Sequence, residues 1–423
     1  MVIGGGAREH ALSARLAAER GGVEVICAPG NAGMAAIART VAADTSDAAG
    51  LLDLAAREQV DFTIVGPELP LSLGVVDRFS GAGRLIFGPR AAAARLESSK
   101  AFAKAFMVRH GVPTARFLTC ESLGAALSVV RSGELGFPMV LKADGLAAGK
   151  GVVIADDGPS AEAAVVAAMS ERRFGASGDR LVIEECLSGP EVSFFVISDG
   201  VRALALPSAQ DHKRIFDDDR GPNTGGMGAF APSVLVDAPL TARIMHEIVE
   251  PVVAGMGTEG HPFRGFLFVG LMMTAAGPSV IEFNVRLGDP EAQVILPLVE
   301  EPLLPLLVAA AEGRLQQESC RIGRENLAGV VLASRGYPAS AEVGQPIHGI
   351  EDAERVPQVT VFHAGTVRHN GQLMTAGGRV LTVVGRGGSL EEAIARAYDG
   401  VSRIDFDGMQ YRRDIGRKAL TAQ

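Results

Sequence analysis

The chain lacks a basic run and any ladder of basic and aromatic side chains, and its 40 Lys+Arg against 49 Asp+Glu leave a formal charge of −9. A nucleic-acid partner therefore has no electrostatic footprint, whereas a small anionic ligand, which needs only a local site, stays open. Long apolar runs are missing too. The most tempting stretch, Pro302 to Ala311, is broken by Pro305 and is well short of the ~20 residues of a membrane span. Arg8, Glu9 and His10 directly after a glycine run predict no signal peptide. Cysteine is scarce: Cys27, Cys120, Cys186 and Cys320 lie far apart without CxxC or metal spacing, which predicts reduced thiols. The expectation is a soluble, cytoplasmic monomer with no nucleic-acid or membrane partner. With 47% hydrophobic and 21% charged residues, neither a disordered chain nor a disulfide-stapled miniprotein is credible, and 423 residues predict two to four domains.

What is abundant is glycine. The 52 glycines exceed the roughly 30 that an average usage of about 7% would give, so something in the chain needs tight turns or close backbone approach. From Met1 to about Leu96, short apolar runs (Met1–Ile3, Val23–Ile26, Phe62–Val65, Leu85–Phe87) alternate with helical patterns (Glu9–Glu19, Ala48–Glu58, Val75–Phe79). That rhythm predicts a parallel sheet with crossover helices and ligands at the carboxyl ends of its strands. Those ends read Gly4-Gly5-Gly6, Ala28 to Gly33, Gly66-Pro67-Glu68 and Gly88-Pro89. Ser98 and Ser99 then offer N-caps to a helix running to His110, with Phe102 and Phe106 on one face and Lys100 and Lys104 on another. A compact α+β segment from about Thr119 to Leu187 follows, then strands near Glu191–Ile197, Gly265–Met273 and Pro278–Arg286. A last region from about Leu327 carries strands at Ala328–Ala333 and Arg379–Val384 and a helix at Leu390–Val401.

Several motifs carry chemistry. Ile3 to His10 is a strand, a glycine turn and a helix start, where free N–H groups and the helix dipole suit an anion. The dinucleotide fingerprint fails, since Glu9 stands where its third glycine should be, so a phosphate is favoured over NAD, and a tight turn without ligand is an equal alternative. Gly145 to Gly151 has three residues between Gly145 and Gly149, and Gly151 after Lys150, so it is no NTPase P-loop. Strand patterns on both sides make it a β-loop-β flap able to cover a triphosphate, with Lys142 as a point charge on the phosphates. Glu184-Glu185-Cys186-Leu187, with Glu191 beyond, is a hinge whose backbone can read an adenine edge and whose carboxylates can bind ribose hydroxyls; an exposed Glu pair at a strand end is the commoner reading. From Ser279 to Arg286, period-two alternation puts Ile281, Phe283 and Val285 on one face and Glu282, Asn284 and Arg286 on the other. Glu282 and Asn284 form a hard-oxygen pair suited to Mg²⁺, and Arg286 adds a fork for carboxylate or phosphate. Asp211-His212-Lys213-Arg214 and Gly221 to Gly228 share one loop, a backbone cradle with two cations; His212 alone reads as a surface histidine.

Taken in order, Gly4 to Ala11, Ala28–Gly33, Gly66–Leu71, Ser99–Lys104, Lys142–Gly151, Asp211–Arg214, Gly221–Gly228 and Glu282–Glu291 resemble the phosphoribosylamine–glycine ligase family, ATP-grasp enzymes of purine biosynthesis. The resemblance implies an α/β multidomain fold: an N-terminal parallel-sheet, Rossmann-like domain (1–97), a central ATP-grasp domain (98–118 and 188–326), its lid (119–187) and a small C-terminal α/β domain (327–423). It implies ATP with Mg²⁺ or Mn²⁺, and glycine and 5-phosphoribosylamine as small-molecule substrates. Lys100, Lys142, Gly145, Gly149, Lys150 and Gly151 would hold and cover the ATP phosphates, and Glu184, Glu185, Leu187 and Glu191 the adenosine. Glu282 and Asn284 would bind the metal. Gly4, Gly6, Asn31 and Glu68, facing Lys213, Asn223, Thr224, Gly225, Gly226, Arg286, Gly288 and Asp289, would enclose the other substrates, with Arg286, Lys142, Lys213 and Asp289 as the catalytic set. Ala7 and Val285 stand where many members have Gly and Cys. The rival expectations are another ATP-grasp ligase, one that phosphorylates bicarbonate or formate, and a nucleotide-binding regulatory module without turnover.

Overall fold

The computed structural model describes residues 1–146 and 151–421. The first 87 residues build a five-stranded, wholly parallel sheet in the order β3-β2-β1-β4-β5, from β1 (Val2–Gly4), β2 (Ile26–Pro29), β3 (Arg39–Thr40), β4 (Thr63–Val65) and β5 (Ile86–Phe87). Helices α1 (Ala7–Ala17), α2 (Ala48–Arg57), α3 (Glu68–Ser72) and α4 (Val75–Gly81) make the crossovers. The β2 strand lies three residues later than its apolar run suggests. Gly21 and Gly22 take positive φ and belong to the turn, and the fully buried pair is Cys27 and Ala28, so part of the expected second loop is strand.

After α5 (Ala91–Ser98) and α6 (Lys100–Arg109), an antiparallel sheet of order β6-β9-β7-β8 is formed by β6 (Phe117–Cys120), β7 (Met139–Ala143), β8 (Val152–Ala155) and β9 (Leu181–Glu185). Lys142 pairs with Val152 across the β7–β8 hairpin, as a β-loop-β flap requires; Ala147 to Lys150, and with them the expectations for Gly149 and Lys150, lie outside the described residues. A second antiparallel sheet, β11-β10-β16-β17, comprises β10 (Glu191–Asp199), β11 (Ala203–Ala205), β16 (Arg264–Thr274) and β17 (Gly277–Asn284). The hairpin β13 (Arg214–Phe216) and β14 (Arg220–Asn223) stands apart as a two-stranded sheet.

The third large sheet runs across distant parts of the chain. Its order is β12-β15-β18-β22-β19, from β12 (Gln210–Asp211), β15 (Gly228–Ala231), β18 (Asn326–Ala333), β19 (Val359–His363) and β22 (Arg379–Gly387), with β20 (Thr366–His369) and β21 (Gln372–Thr375) as a separate ribbon. Four residues of β15 pair with β18, so the sequence boundary near residue 327 is bridged by main-chain hydrogen bonds.

One polar joint ties the N-terminal sheet to β19. The backbone N–H of His363 donates to Nδ1 of His10 (2.8 Å), the Nδ2 of Asn31 donates to the His363 carbonyl (2.7 Å), and His363 Nδ1 lies 3.1 Å from Thr366 Oγ1. Both imidazoles crowd Gly33, where a Cβ would lie 2.5 to 2.6 Å from ring atoms of each. Burial lowers the pKa of His10 to about 3 and of His363 to about 4, the neighbouring imidazole lowering His10 further. Their folded values lie below the unfolded ~6.5, so the stability from neutral rings is complete above pH 6.5 and is lost as pH falls towards 4. His10→Asn keeps an acceptor for the His363 N–H and removes one titration. Urea unfolding between pH 6 and 4 should show a slope shallower than wild type by up to about 1.4 kcal/mol per pH unit; equal slopes would contradict this account of the joint.

Candidate active site

A cleft of roughly 1170 Å³ brings together α6, the β7–β8 hairpin, the 184–191 hinge, β17, the 286–291 loop and the 211–225 segment, which is not the one loop expected but carries the β13–β14 hairpin. Its cations are placed by local structure. Ser99 Oγ accepts the Phe102 N–H (3.1 Å) as the N-cap of α6, which puts Lys100 in the first turn and Lys104 one turn on, both lining the cleft. Lys100 Nζ donates to the Gly145 carbonyl (3.0 Å). Lys142 Nζ donates to Glu184 Oε2 and the Ile281 carbonyl, each at 3.0 Å. Lys104 Nζ reaches Glu184 Oε2 (2.9 Å) and donates to Thr114 Oγ1 (2.7 Å). Glu184 thus neutralises two buried lysines. Burial lowers the Lys104 pKa to about 8 against the opposing pull of Glu184, and it lowers that of Lys100 as well.

At the other end, Lys213 Nζ pairs with Glu191 Oε2 at 2.7 Å. Burial works against its charge, but Glu191, Asp211 and Glu282 outweigh it and raise its pKa. Arg286 donates from Nε to Glu68 Oε2 (3.1 Å), from Nη2 to Asn284 Oδ1 (3.1 Å) and from Nη1 to the Leu287 carbonyl (3.1 Å), and Nη2 lies 2.9 Å from Glu97 Oε1. Burial alone would raise the Glu68 pKa; Arg286 and Arg8 lower it to about 2. Glu97, which accepts the Val285 N–H (2.8 Å), is instead pushed up by burial. Asp211 rises to about 7 because burial and the nearby Glu291, Glu191 and Glu282 outweigh Lys213.

Glu282 sits between these groups. Burial would raise its pKa, yet Lys213, Lys142, Lys100 and Arg286 lower it, so it is a carboxylate kept ionised by four cations. Beside it, Asn284 Nδ2 is buried without a partner among the described residues. No group of three or more His, Cys, Asp or Glu able to hold a metal occurs among the described residues. A Glu–Asn oxygen pair suits a Mg²⁺ ion that takes its remaining ligands from water and phosphate, so the donor set fits such an ion.

Most of the expected residues meet here: Lys100, Lys142, Gly145, Gly151, Glu184, Glu185, Leu187, Glu191, Glu68, Lys213, Asn223, Thr224, Gly225, Glu282, Asn284, Arg286, Gly288 and Asp289 all line the cleft. Gly4, Gly6, Asn31 and Gly226 do not. The glycine turn expected to receive an anion holds one of the protein's own, because the Gly6 N–H donates to Glu9 Oε2 (2.7 Å) while Arg8 Nε holds Glu9 Oε1 (2.5 Å). The Asn31 amide is spent on backbone, donating to the Gly5 and His363 carbonyls and accepting from the Gly33 and Met34 N–H groups.

Two expectations need correction. His212 is buried, with Nε2 accepting the Gly416 N–H (3.2 Å) and a pKa lowered to about 4, chiefly by burial; it is not a surface histidine. The alternation of β17 breaks at a bulge opposite Gly270 and Leu271, so Ile281 lines the cleft beside Glu282, while Val285 enters the core and Phe283, also in the core, touches the cleft wall. Arg8, Glu97, Lys104 and Arg379 also line the cleft without having been singled out as site residues. Lys104 had a signal in its spacing from Lys100. Arg379 had none: it arrives on β22 and donates to the Gly225 carbonyl (2.7 Å) and the Asp289 carbonyl (2.5 Å).

The fold and the lysine, carboxylate and amide set define an ATP-grasp enzyme. A biotin carboxylase from Campylobacter jejuni shares the fold over 97% of this chain and 92% of its own, with TM-score 0.76 at 17% identity. The chain matches the phosphoribosylglycinamide synthetase N domain over residues 1–97, the ATP-grasp (A) domain over 98–292 and the C domain over 327–418. It therefore belongs to the phosphoribosylglycinamide synthetase family of ATP-grasp ligases. Among its relatives, the phosphoribosylamine–glycine ligase of Xylella fastidiosa (strain Temecula1) is 49% identical over 99% of this chain and 98% of its own length. That of Neisseria meningitidis serogroup A is 46% identical over 99% of both. The crystal structure of the Thermotoga maritima enzyme of that name superimposes with TM-score 0.85 at 34% identity, over 98% of this chain and 99% of its own. No helix among the described residues is long and apolar enough to cross a membrane.

Asn31→Ala separates a binding role from a structural one. With two N–H groups and two carbonyls losing their partner, it should cost about 1 to 3 kcal/mol of stability and leave substrate KM values unchanged; a raised KM in a protein of normal stability would return Asn31 to the binding site.

Proposed function

We propose that the protein joins glycine to 5-phosphoribosylamine at the expense of ATP, giving glycinamide ribonucleotide, ADP and phosphate. The observation that carries this is the single cleft in which Lys100, Lys142, Lys213 and Arg286 surround Glu282. A glycine carboxylate is a poor electrophile. One of its oxygens attacks the γ-phosphorus of ATP, the bond from that phosphorus to ADP breaks, and glycyl phosphate forms. The neutral amine of phosphoribosylamine then attacks the acyl carbon, the carbon–oxygen bond to phosphate breaks, and the amide forms with loss of a proton from nitrogen.

The residues position and neutralise; none needs to act as a covalent nucleophile. Lys100 and Lys142 take the ATP phosphates, with Glu184 and the Ile281 carbonyl holding Lys142 in place, and the hinge at Glu185 to Leu187 takes the adenosine. Arg286 and Lys213 offset charge on the transferring phosphoryl and the glycine carboxylate, where preorganised charge supplies most of the catalysis. Glu282 and Asn284 would hold a Mg²⁺ or Mn²⁺ ion, which when bound neutralises phosphate charge. The β7–β8 hairpin covers the phosphates and excludes water from an acyl phosphate that hydrolyses readily. Asp289, held by Arg379 and by Gln293 Nε2 (2.9 Å), faces the non-nucleotide substrates with Asn223 to Gly225. The N-terminal sheet, the lid around β6 to β9 and the C-terminal region serve as the binding, covering and closing parts, in a cytoplasmic monomer.

An ADP-release assay with each substrate omitted in turn tests this reading. Release should require glycine and phosphoribosylamine; release supported by bicarbonate or formate would assign a different ligase, and ATP binding with no release a regulatory module. Glu282→Gln should abolish glycine-dependent ADP formation with the fold intact, and near-normal turnover would refute its place at the metal.

A further inference from the structure

The C-terminal segment 412–418, whose Lys418 lines the cleft together with Asp219 of the β13–β14 hairpin, takes no part in the chemistry above, yet it holds the tip of that hairpin at every one of its three consecutive aspartates. The Arg413 N–H donates to Asp217 Oδ1 (2.8 Å), Arg417 Nη2 to Asp218 Oδ1 (2.6 Å) and Arg412 Nη1 to Asp219 Oδ1 (2.8 Å), while Lys418 Nζ also reaches Asp219. In return the Asp218 N–H donates to Asp414 Oδ2 (2.9 Å). Arg412 is 1% exposed. Its Nε and Nη2 form a fork on Asp414 (2.8 and 2.7 Å), and its Nη1 also donates to the Arg214 carbonyl (3.1 Å). The segment is itself fixed by Tyr398 of the helix Leu390–Val401, whose hydroxyl donates to the Arg412 carbonyl (2.9 Å) and accepts the Ile415 N–H (3.1 Å).

The hairpin needs this support. Among the described residues it pairs with no other strand, and isolated two-stranded ribbons are marginal. Asp218 and Asp219 both stand at left-handed φ, +58° and +53°, which a single aspartate tolerates but which costs energy unless the surroundings fix it. At the hairpin base, the Thr224 N–H and hydroxyl both donate to the Lys213 carbonyl (2.7 and 2.9 Å), and Thr224 Oγ1 accepts the Gly226 N–H (2.9 Å). Through β13 and β14 the position of the tip bears on Lys213 and the 223–226 turn, which Glu191 and Arg379 hold from the other side. Lys100 and Lys142 hang on α6 and β7 and share no hydrogen bond with the segment.

We infer that residues 412–418 are a clasp that sets Lys213 and the 223–226 turn for the non-nucleotide substrates, with Arg412 as the positioning residue. The inference rests on the ligase reading for the identity of those substrates. Arg412→Lys keeps the charge and loses the fork; Asp219→Asn loosens the clasp from the hairpin side at a half-exposed position. In steady-state assays with phosphoribosylamine generated in situ, each should raise KM for glycine and phosphoribosylamine about tenfold, the loss of one charge-assisted hydrogen bond, with KM for ATP changed less than about twofold. Trypsin should cleave after Arg220 faster than in wild type. KM values that rise for all three substrates alike would reduce the clasp to general stability. Unchanged KM values, or unchanged cleavage, in Asp219→Asn would overturn it, even if Arg412→Lys does not fold. Should wild type release no ADP at all, the ligase reading fails, while the trypsin comparison still decides whether the clasp holds the hairpin.

Discussion

The Arg286 guanidinium is the interaction on which the site's geometry depends. Its partners come from three separate places: Glu68 at the start of α3, Glu97 near the end of α5, and Asn284 at the end of β17. Without it, the buried Glu97 carboxylate and the partly exposed Glu68 carboxylate would face each other across the junction of the parallel sheet and the β10–β17 sheet. Removing one partner of such a buried arrangement typically costs about 3 to 5 kcal/mol. Because the same Nη2 that meets Glu97 also holds Asn284 Oδ1, the orientation of the amide beside Glu282 is fixed from the N-terminal sheet.

Around this anchor the cleft is organised by charge rather than by shape. Two lysines share Glu184 at one end, Lys213 answers Glu191 at the other, and Glu282 lies among four cations. The buried members, Lys104, Lys142 and Glu184, would be costly to bury singly, and each has an opposite charge within 3.0 Å. A polyanionic nucleotide entering the cleft finds cations whose existing partners are mostly carboxylates and carbonyls of the wall, so binding exchanges partners and does not create buried charge.

The parallel sheet, the helix carrying Lys100 and the strand carrying Glu282 and Asn284 were legible in the sequence, because each is set by local periodicity and by capping residues such as Ser99; that strand ends at Asn284, short of the expected Arg286. What was not legible came from tertiary meetings. Glu97 ends an ordinary amphipathic helix, and only the arrival of Arg286 and the Val285 N–H gives it a role. Arg379 comes from β22, some 90 residues beyond Asp289, and no spacing rule links them. The glycine turn at Gly4 to Gly6 has the chemistry of an anion site, but whether the anion is a ligand or the Glu9 carboxylate depends on a side-chain rotamer. His212 looked solvent-facing because its sequence neighbours are charged; the Gly416 backbone that covers it lies some 200 residues on. The β17 bulge shows the limit of period-two reasoning, since one unpaired residue moves Ile281 from the expected core face to the cleft.

The sheet that joins β15 to β18 has a consequence for biosynthesis. As the chain leaves the ribosome, β15 emerges with only the two-residue β12 to pair with, and its main partner begins about 95 residues later. At roughly 5 to 20 residues per second its apolar edge, with Phe230 and Ala231, stays open for about 5 to 20 seconds, an interval in which an unpaired strand edge can template pairing with the wrong chain. The middle of this protein is therefore committed to its final form only when the start of the last quarter has been made, and a ribosome that stops short of β18 releases a chain with a ready-made site for aggregation.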